Sequence, residues 1–358
     1  NDIGDFYYTP PTGFLALCAD NLPDVAVTPS EHFNTTLFTG DGTSNRDITG
    51  TGFNPDLNWL KMRSGADNHV VTDVMRGTNH LHTNTTDADS DLSYPALVTD
   101  GFRVSGGTYN NNSSTFVAWQ WKANGSGSSN TDGTITSTVS ANVDAGFSIV
   151  SYTGTGSAAT VGHGLSSAPE MILVKSRSHA KSWAVYHTSL GNTHSLKLND
   201  TSASYDNVNR WNDTTPSATV FSLGGSDEAN YSGTNIAYCF HSVDGYSKFG
   251  TYETNGASGD NPGAYVHLGF RPAFVMIKSV DHTNGYTSWV MYDNKRNGYN
   301  RDNEYVFADT NEAEMSTYII HFYSNGFQVY DNYHATNNSG TYMYIAFAET
   351  PFKNSNAR

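Results

Sequence analysis

A proline followed six residues later by a lysine, with an apolar run between them, occurs three times in this chain: Pro55 to Lys61, Pro169 to Lys175 and Pro272 to Lys278. The intervening runs are Asp-Leu-Asn-Trp-Leu, Glu-Met-Ile-Leu-Val and Ala-Phe-Val-Met-Ile. The third is the fullest, Gly269-Phe-Arg-Pro-Ala-Phe-Val-Met-Ile-Lys278 followed by Ser288-Trp-Val-Met-Tyr-Asp293. Each lysine leads to a second strand-like run: His69-Val-Val-Thr-Asp73, Trp183-Ala-Val-Tyr-His187 and Trp289-Val-Met-Tyr-Asp293. A third signal closes each copy. Val117, Ile236 and Met343, then Trp119, Tyr238 and Ile345, then Trp121, Phe240 and Phe347 alternate with Ala118, Ala237 and Tyr344 and with Gln120, Cys239 and Ala346. A period of two with the large residues on one side is a strand laid on a core. Gly101-Phe-Arg-Val, Val220-Phe-Ser-Leu and Gly326-Phe-Gln-Val supply a partner strand just upstream. Phe33 to Gly40, Phe147 to Gly154 and Gly245 to Tyr252 open the copies.

From proline to proline the period is 114 and then 103 residues, the size of a β-sandwich domain and far above the roughly 20–50 residues of a solenoid unit. The reading is all-β: three tandem β-sandwich modules, jelly-roll or lectin-like, of about 100 residues each. Residues 1–29 form an extended segment broken by Pro10 and Pro11, which cannot donate to a ladder. Module 1 spans 30–123, a Gly/Ser-rich linker 124–144, module 2 145–241, and module 3 with its tail 242–358. The flexible linker and the tighter His241-Ser-Val-Asp-Gly245 predict that modules 2 and 3 are held together more rigidly than modules 1 and 2.

Composition agrees with β structure. Gly (33) and Tyr (22) are abundant and only 15% of residues are charged, and no stretch of ten or more residues sustains a helical apolar period. With 34 acids against 19 bases and a net charge of −15, the chain lacks the cation excess that phosphate contacts require, so no nucleic-acid partner is expected. No apolar run reaches the roughly 18–20 residues that cross a bilayer, and the N-terminus has no basic region ahead of an apolar core, so no membrane insertion is expected. Cys239 falls on the small-residue face of a strand, which predicts a buried free thiol; a bridge to Cys18 is the alternative.

Two stretches resemble known families. Tyr8-Thr-Pro-Pro-Thr-Gly-Phe-Leu-Ala-Leu with Asn21-Leu-Pro is similar to the closing segment of a SPRY-type β-sandwich of marine phage structural proteins, which would place the start of the parent polypeptide upstream of Asn1. Phe147-Ser-Ile-Val-Ser-Tyr-Thr-Gly154, Gly233-Thr-Asn-Ile-Ala-Tyr-Cys-Phe240, Lys248-Phe-Gly-Thr-Tyr252 and Ala346-Phe-Ala-Glu-Thr-Pro-Phe352 resemble the tandem domain of marine bacteriophage and cyanophage virion proteins, often tail-fibre proteins. The resemblance covers about residues 145–353 and reaches 30–123 only through the repeat. It implies a virion or filament component at the virion or extracellular filament surface, and brings no catalytic residues with it.

Chemistry-bearing patterns are sparse. Asp87-Ala-Asp-Ser-Asp91 sets Asp87, Asp89 and Asp91 at alternate positions, a spacing that can wrap oxygen ligands around Ca²⁺. It lacks the glycine and the downstream glutamate of an EF-hand, and a solvated acidic loop is the plainer reading. His80 and His82 share one strand face, as a transition-metal pair would, although no further ligand lies at a zinc spacing. No nucleophile motif or phosphate-cradling loop occurs, and Asp293, Glu312 and Glu314 are carboxylates without a pattern that marks catalysis. Trp59, Trp211, Tyr231, Tyr299 and Tyr333 lie near loops or strand ends, where rings can stack on sugars; Trp119, Trp121, Trp183 and Trp289 read as core. Nine Asn-x-Ser/Thr sequons, at Asn34, Asn84, Asn111, Asn112, Asn124, Asn199, Asn212, Asn230 and Asn337, matter only where the host glycosylates.

The expectation is therefore a non-enzymatic protein with no catalytic residue and no certain cofactor beyond a candidate Ca²⁺. It would self-associate as a trimer or helical array and contact other virion proteins. Loops 76–95, 200–216 and 294–314 would present surfaces to other subunits or to the host. A carbohydrate-binding adhesin reading host-surface glycans is the alternative, and a glycan depolymerase the third reading.

Overall fold

The structure, a computed structural model, describes residues 26–107, 109–257, 262–282, 287–297, 300, 304–318, 320–330 and 333–351, together with Tyr8 and Pro11. Among these the chain is all-β, with one α-helical turn at Val208–Trp211. Cys18 and Tyr299 lie outside the described residues.

One strand order occurs three times. An opening strand (Phe33–Thr39, Phe147–Thr153 or Ser247–Asn255) pairs with a closing strand (Thr115–Trp121, Thr234–Phe240 or Ser339–Pro351). Next comes the lysine strand (Leu57–Met62, Met171–Ser176 or Phe270–Ser279), then a return strand (Val70–Asp73, Ala184–His187 or Val290–Asp293). A seam strand (Asn79–Leu81, His194–Lys197 or Val306–Phe307) follows. All pairings are antiparallel, and the register is common to the copies: Leu57 faces Trp121, Met171 faces Phe240 and Phe274 faces Phe347, while Lys61, Lys175 and Lys278 face Val117, Ile236 and Met343. In the third copy Ser247, opposite Phe347, stands where Phe33 and Phe147 stand in the others, and Tyr246 and Phe249 supply the missing aromatic bulk.

Each large sheet has a different cover on its two faces. A small sheet lies over one: Arg46–Thr49, Gly101–Val104 and Ala96–Val98 in copy 1; Ala159–Gly162 and Val220–Leu223 in copy 2; Tyr265–His267, Gly326–Val329 and Ile320–Tyr323 in copy 3. Phe102, Phe221 and Phe327 point from these small sheets into three separate cores that also hold Ala118, Ala237 and Tyr344. Glycine at 101 and 326 is a steric demand, since a Cβ would fall 1.9 Å from the Ile48 carbonyl oxygen and 2.0 Å from that of Val266.

The opposite, large-residue face of every copy enters one common core. Trp119, Trp121, Tyr238, Phe240, Ile345 and Phe347 all belong to it, with Leu57, Met171 and Phe274 from the lysine strands. Rings from different copies meet directly: Phe33 stacks on Phe347 at 5.2 Å and Phe240 meets Phe347 edge-on at 6.0 Å. The packing leaves a cavity of about 30 Å³ where the three sheets converge. Burial on both faces explains why Met171–Ser176 and Phe270–Ser279 are buried along their whole length, as strands covered on both sides are. The copies are thus the three sectors of a closed ring, and every junction carries a lysine-to-carbonyl bond, so the looser hold between copies 1 and 2 that the linker predicts is not seen. Within that linker Ser128–Asn130 and Ser137–Asn142 are strands that join the large sheet of copy 2.

Candidate functional site

The residues that recur are found at these junctions. The lysine strand of each copy meets the loop after the seam strand of another: copy 2 on copy 1, copy 3 on copy 2, and copy 1 on copy 3. Lys175 Nζ donates to the Thr86 carbonyl at 3.1 Å, Lys278 Nζ to that of Thr201 at 3.2 Å and Lys61 Nζ to that of Asn311 at 3.4 Å. Two residues beyond each lysine, the carbonyls of Arg177, Val280 and Arg63 accept backbone N–H bonds from Asp89, Ser204 and Glu314. Burial pulls all three ammonium groups down to about 8.

A second set lies deeper in the seams. Trp183 Nε1 donates to the His82 carbonyl and Trp289 Nε1 to that of Lys197, each at 2.9 Å. In copy 1 His69 occupies this place, with Nε2 at 2.8 Å from the Phe307 carbonyl and Nδ1 accepting from Trp59 Nε1 at 2.9 Å. These bonds make Nε2 the protonated nitrogen of a neutral ring, in keeping with burial driving the imidazole well below its ordinary range. The backbone N–H groups of His69, Trp183 and Trp289 donate within their own copies to Asn84, Asn199 and Asp309.

The third set differs between copies. In the copy 1 to copy 2 seam Arg76 Nε donates to Asp73 Oδ2 at 2.6 Å, and Tyr238 Oη of copy 2 donates to the same oxygen at 2.5 Å. In the copy 3 to copy 1 seam Arg296 Nε donates to Asp293 Oδ2 at 2.7 Å, and Trp119 Nε1 of copy 1 donates to that oxygen at 3.1 Å. Both Asp–Arg pairs are fully enclosed, with side-chain exposure of 0%. In the copy 2 to copy 3 seam the same places hold His187, Leu190 and Ile345. A buried ion pair and the ring donor facing it stand where this seam has an imidazole and two aliphatic side chains, a replacement that costs little when every member changes together.

The loops singled out in the sequence are therefore partly occupied. Thr86 and Asp89, Thr201 and Ser204, and Asn311 and Glu314 belong to segments 76–95, 200–216 and 294–314, and each bonds to another copy of the same chain. Asp89 is committed to Arg177 at 2.7 Å, while Asp91 Oδ1 accepts from the Ser93 N–H. Among the described residues no group of three or more His, Cys, Asp and Glu side chains is arranged to hold a metal, so Asp87, Asp89 and Asp91 are not brought together as a calcium cradle. His80 and His82 do approach, with ring centroids 5.5 Å apart, but His82 Nδ1 is hydrogen-bonded to the His69 carbonyl. Asp293 and Glu314 are held by Arg296 and Arg63, and Glu312 is exposed. Cys239 is a buried free thiol, as its strand position predicts.

The aromatic candidates divide. Trp119, Trp121, Trp183 and Trp289 are core, and so are Trp59 and Trp211, which strand-end position had suggested for sugar stacking. Alternation places Trp59 on the inner row with Leu57. The C-terminal turn of the single short helix tucks Trp211 under the second sandwich against Tyr186. Tyr231 is covered by Lys181 and His179, and Tyr333 stacks on Tyr318 at 3.6 Å. An aromatic surface that the sequence did not single out lies on the outer face of the small sheet of copy 3. There Tyr323 Oη and Tyr330 Oη lie 3.2 and 3.3 Å from Gln328 Oε1 and 3.1 Å from each other. Tyr265, 44% exposed, bonds Asn325 Oδ1 at 2.5 Å, and the rings of His321 and Tyr330 approach to 4.2 Å.

Strand order, common core and seams define an all-β protein in which three sandwich-like copies close on one another. Residues 28–351 match the family described as a domain of unknown function, DUF7483, and the chain belongs to that family. The match runs through all three copies, in line with the core they share. Searches of curated proteins and of solved structures return no match.

Proposed function

We propose that this chain is a non-enzymatic structural module of a phage virion or comparable extracellular filament, built as a rigid hub that presents its rims and outer faces to partners. The observation that carries the reading is the use made of the recurring residues. Lys61, Lys175 and Lys278, and His69, Trp183 and Trp289, all bond across the seams. What is common to the copies is therefore architecture, and what differs between them is left for recognition. A chain with an internal threefold repeat also suits a threefold partner such as a trimeric fibre, because it offers three related surfaces about one axis. Assembly with further copies or with other virion proteins then runs through rim loops and free strand edges, since the strand faces that would have driven trimerisation are buried within one chain. Antibody raised against the full chain and imaged on intact particles tests the reading. Label at regular positions on a particle or filament supports it, and label confined to the unassembled soluble fraction overturns it.

A further inference from the structure

We propose that the outer face of the small sheet in copy 3 binds a neutral glycan, a hexose or N-acetylhexosamine oligosaccharide, through Tyr265, His321, Tyr323, Gln328 and Tyr330. The other copies are internal controls for what the fold requires. One ladder row across the small sheet reads Ala96, Arg103, Asp47 in copy 1, Ser222, Thr160 in copy 2 and His321, Gln328, Tyr265 in copy 3. On the inner side the same strands carry Phe102, Phe221 and Phe327, so the fold constrains the inner face, while on the outer face of copy 3 Tyr265 is exposed and His321, Tyr323, Gln328 and Tyr330 are half-buried. Copy 1 fills the outer row with an exposed Arg103–Asp47 ion pair. In copy 2 Thr160 exchanges hydrogen bonds with Thr134. Only copy 3 sets aromatic rings there, and sandwich packing does not account for them.

Their geometry is fixed before any ligand arrives. Gln328 Nε2 donates to the Gly263 carbonyl at 3.2 Å, which orients the amide and turns Oε1 toward the two phenols. Tyr323 Oη also lies 3.1 Å from Tyr330 Oη and 3.4 Å from His321 Nδ1. With both phenols donating to Oε1, each hydroxyl oxygen keeps a lone pair to accept from a hydroxyl group of a ligand. Tyr265 stands 6.0 Å from Tyr323, ring to ring, and extends the surface sideways. Tyrosine rings offer a rigid apolar area with a polar tip at low entropic cost, which suits a ligand that is apolar on its ring face and hydroxylated at its edge. Tyr265, Tyr323, Gln328 and Tyr330 carry no charge at neutral pH, on a chain of net charge −15, which matches a neutral saccharide better than a phosphorylated or acidic partner.

The test is binding of the full chain to an array of neutral hexose and N-acetylhexosamine oligosaccharides, repeated with Tyr265→Ala, Tyr323→Phe and, as a control on the equivalent face of copy 1, Arg103→Ala. Tyr265→Ala is expected to weaken binding about tenfold or more and Tyr323→Phe several-fold, with Arg103→Ala unchanged and melting temperatures close to that of the native chain. Tyr323→Phe removes a single oxygen and keeps the test sound should the alanine variant unfold. Absence of binding to every oligosaccharide overturns the proposal, and so does binding that Tyr265→Ala and Tyr323→Phe leave intact.

Discussion

The seam that joins copies 1 and 2 can be rewritten as the seam that joins copies 2 and 3. The perturbation is Arg76→Leu, Asp73→His and the two combined, which converts the buried pair into the His187 and Leu190 arrangement. Arg76 alone removed leaves the Asp73 carboxylate enclosed at 0% exposure. It keeps the Tyr238 hydroxyl and the backbone N–H groups of Met75 and Arg76 as donors, which places the cost at the lower end of the range of about 3–5 kcal/mol for breaking a buried pair. Asp73→His alone leaves the guanidinium without its carboxylate at a similar cost, although the Val71 carbonyl still accepts from Nη2 at 2.9 Å. Independent sites would add to about 6 kcal/mol or more. Because both penalties come from one unpaired charge, the double variant removes it and is left with the cost of the buried Tyr238 hydroxyl that both partners bonded, about 1–3 kcal/mol. It is therefore expected to cost no more than either single one, a coupling of about 3 kcal/mol. Urea unfolding followed by tryptophan fluorescence and far-UV circular dichroism measures all four corners of the cycle. Costs that add to within about 0.5 kcal/mol would show that the copy 2 seam is not an alternative solution to the same packing problem, and the reasoning would fail.

The common core predicts one cooperative unfolding transition for residues 26–351, with fragment 30–123 unfolded on its own; separate calorimetric transitions for the three copies would contradict a shared core. Burial holds Lys61, Lys175 and Lys278 at about 8 against an ordinary 10.5. The unfolded chain therefore binds more protons between those values, and stability rises with pH across that window. The urea midpoint is expected to climb from pH of about 8 to about 9.5 and to climb less in Lys175→Met; a midpoint that falls over this interval refutes the assignment. Since Asp89 is engaged by Arg177, Asp89→Asn is expected to destabilise by about 1 kcal/mol while millimolar calcium leaves the melting temperature of the native chain unmoved, and a calcium-dependent rise would restore the acidic loop as a metal site.

The strands were legible because alternation is a local signal. Val117, Trp119 and Trp121 announce an apolar face from one short segment, and the same columns recur at Ile236, Tyr238 and Phe240. What covers that face was not legible, because an apolar face has the same pattern whether it meets a partner sheet or another copy. The lysines did carry a clue. Lys61 continues the row of Leu57 and Trp59, and Lys175 that of Met171 and Leu173, so a charge repeats on a row that is otherwise core. Their partners escaped notice because they are backbone carbonyls of other copies: Thr86 and Thr201 precede Lys175 and Lys278 by 89 and 77 residues, and Asn311 follows Lys61 by 250. His69 hid for a different reason, since a ring N–H donor was kept while the side-chain type changed from tryptophan. The exchange of Asp73, Arg76 and Tyr238 for His187, Leu190 and Ile345 reads as drift along the chain and as coordinated replacement only across a seam. The outer face of copy 3 was hidden in the same way, because Tyr265, His321 and Gln328 come from three strands and meet only through register. A threefold chain thus separates its own residues into two classes. Positions that persist or change together across a seam hold the ring closed, and positions that change singly on an outer face answer to no such demand.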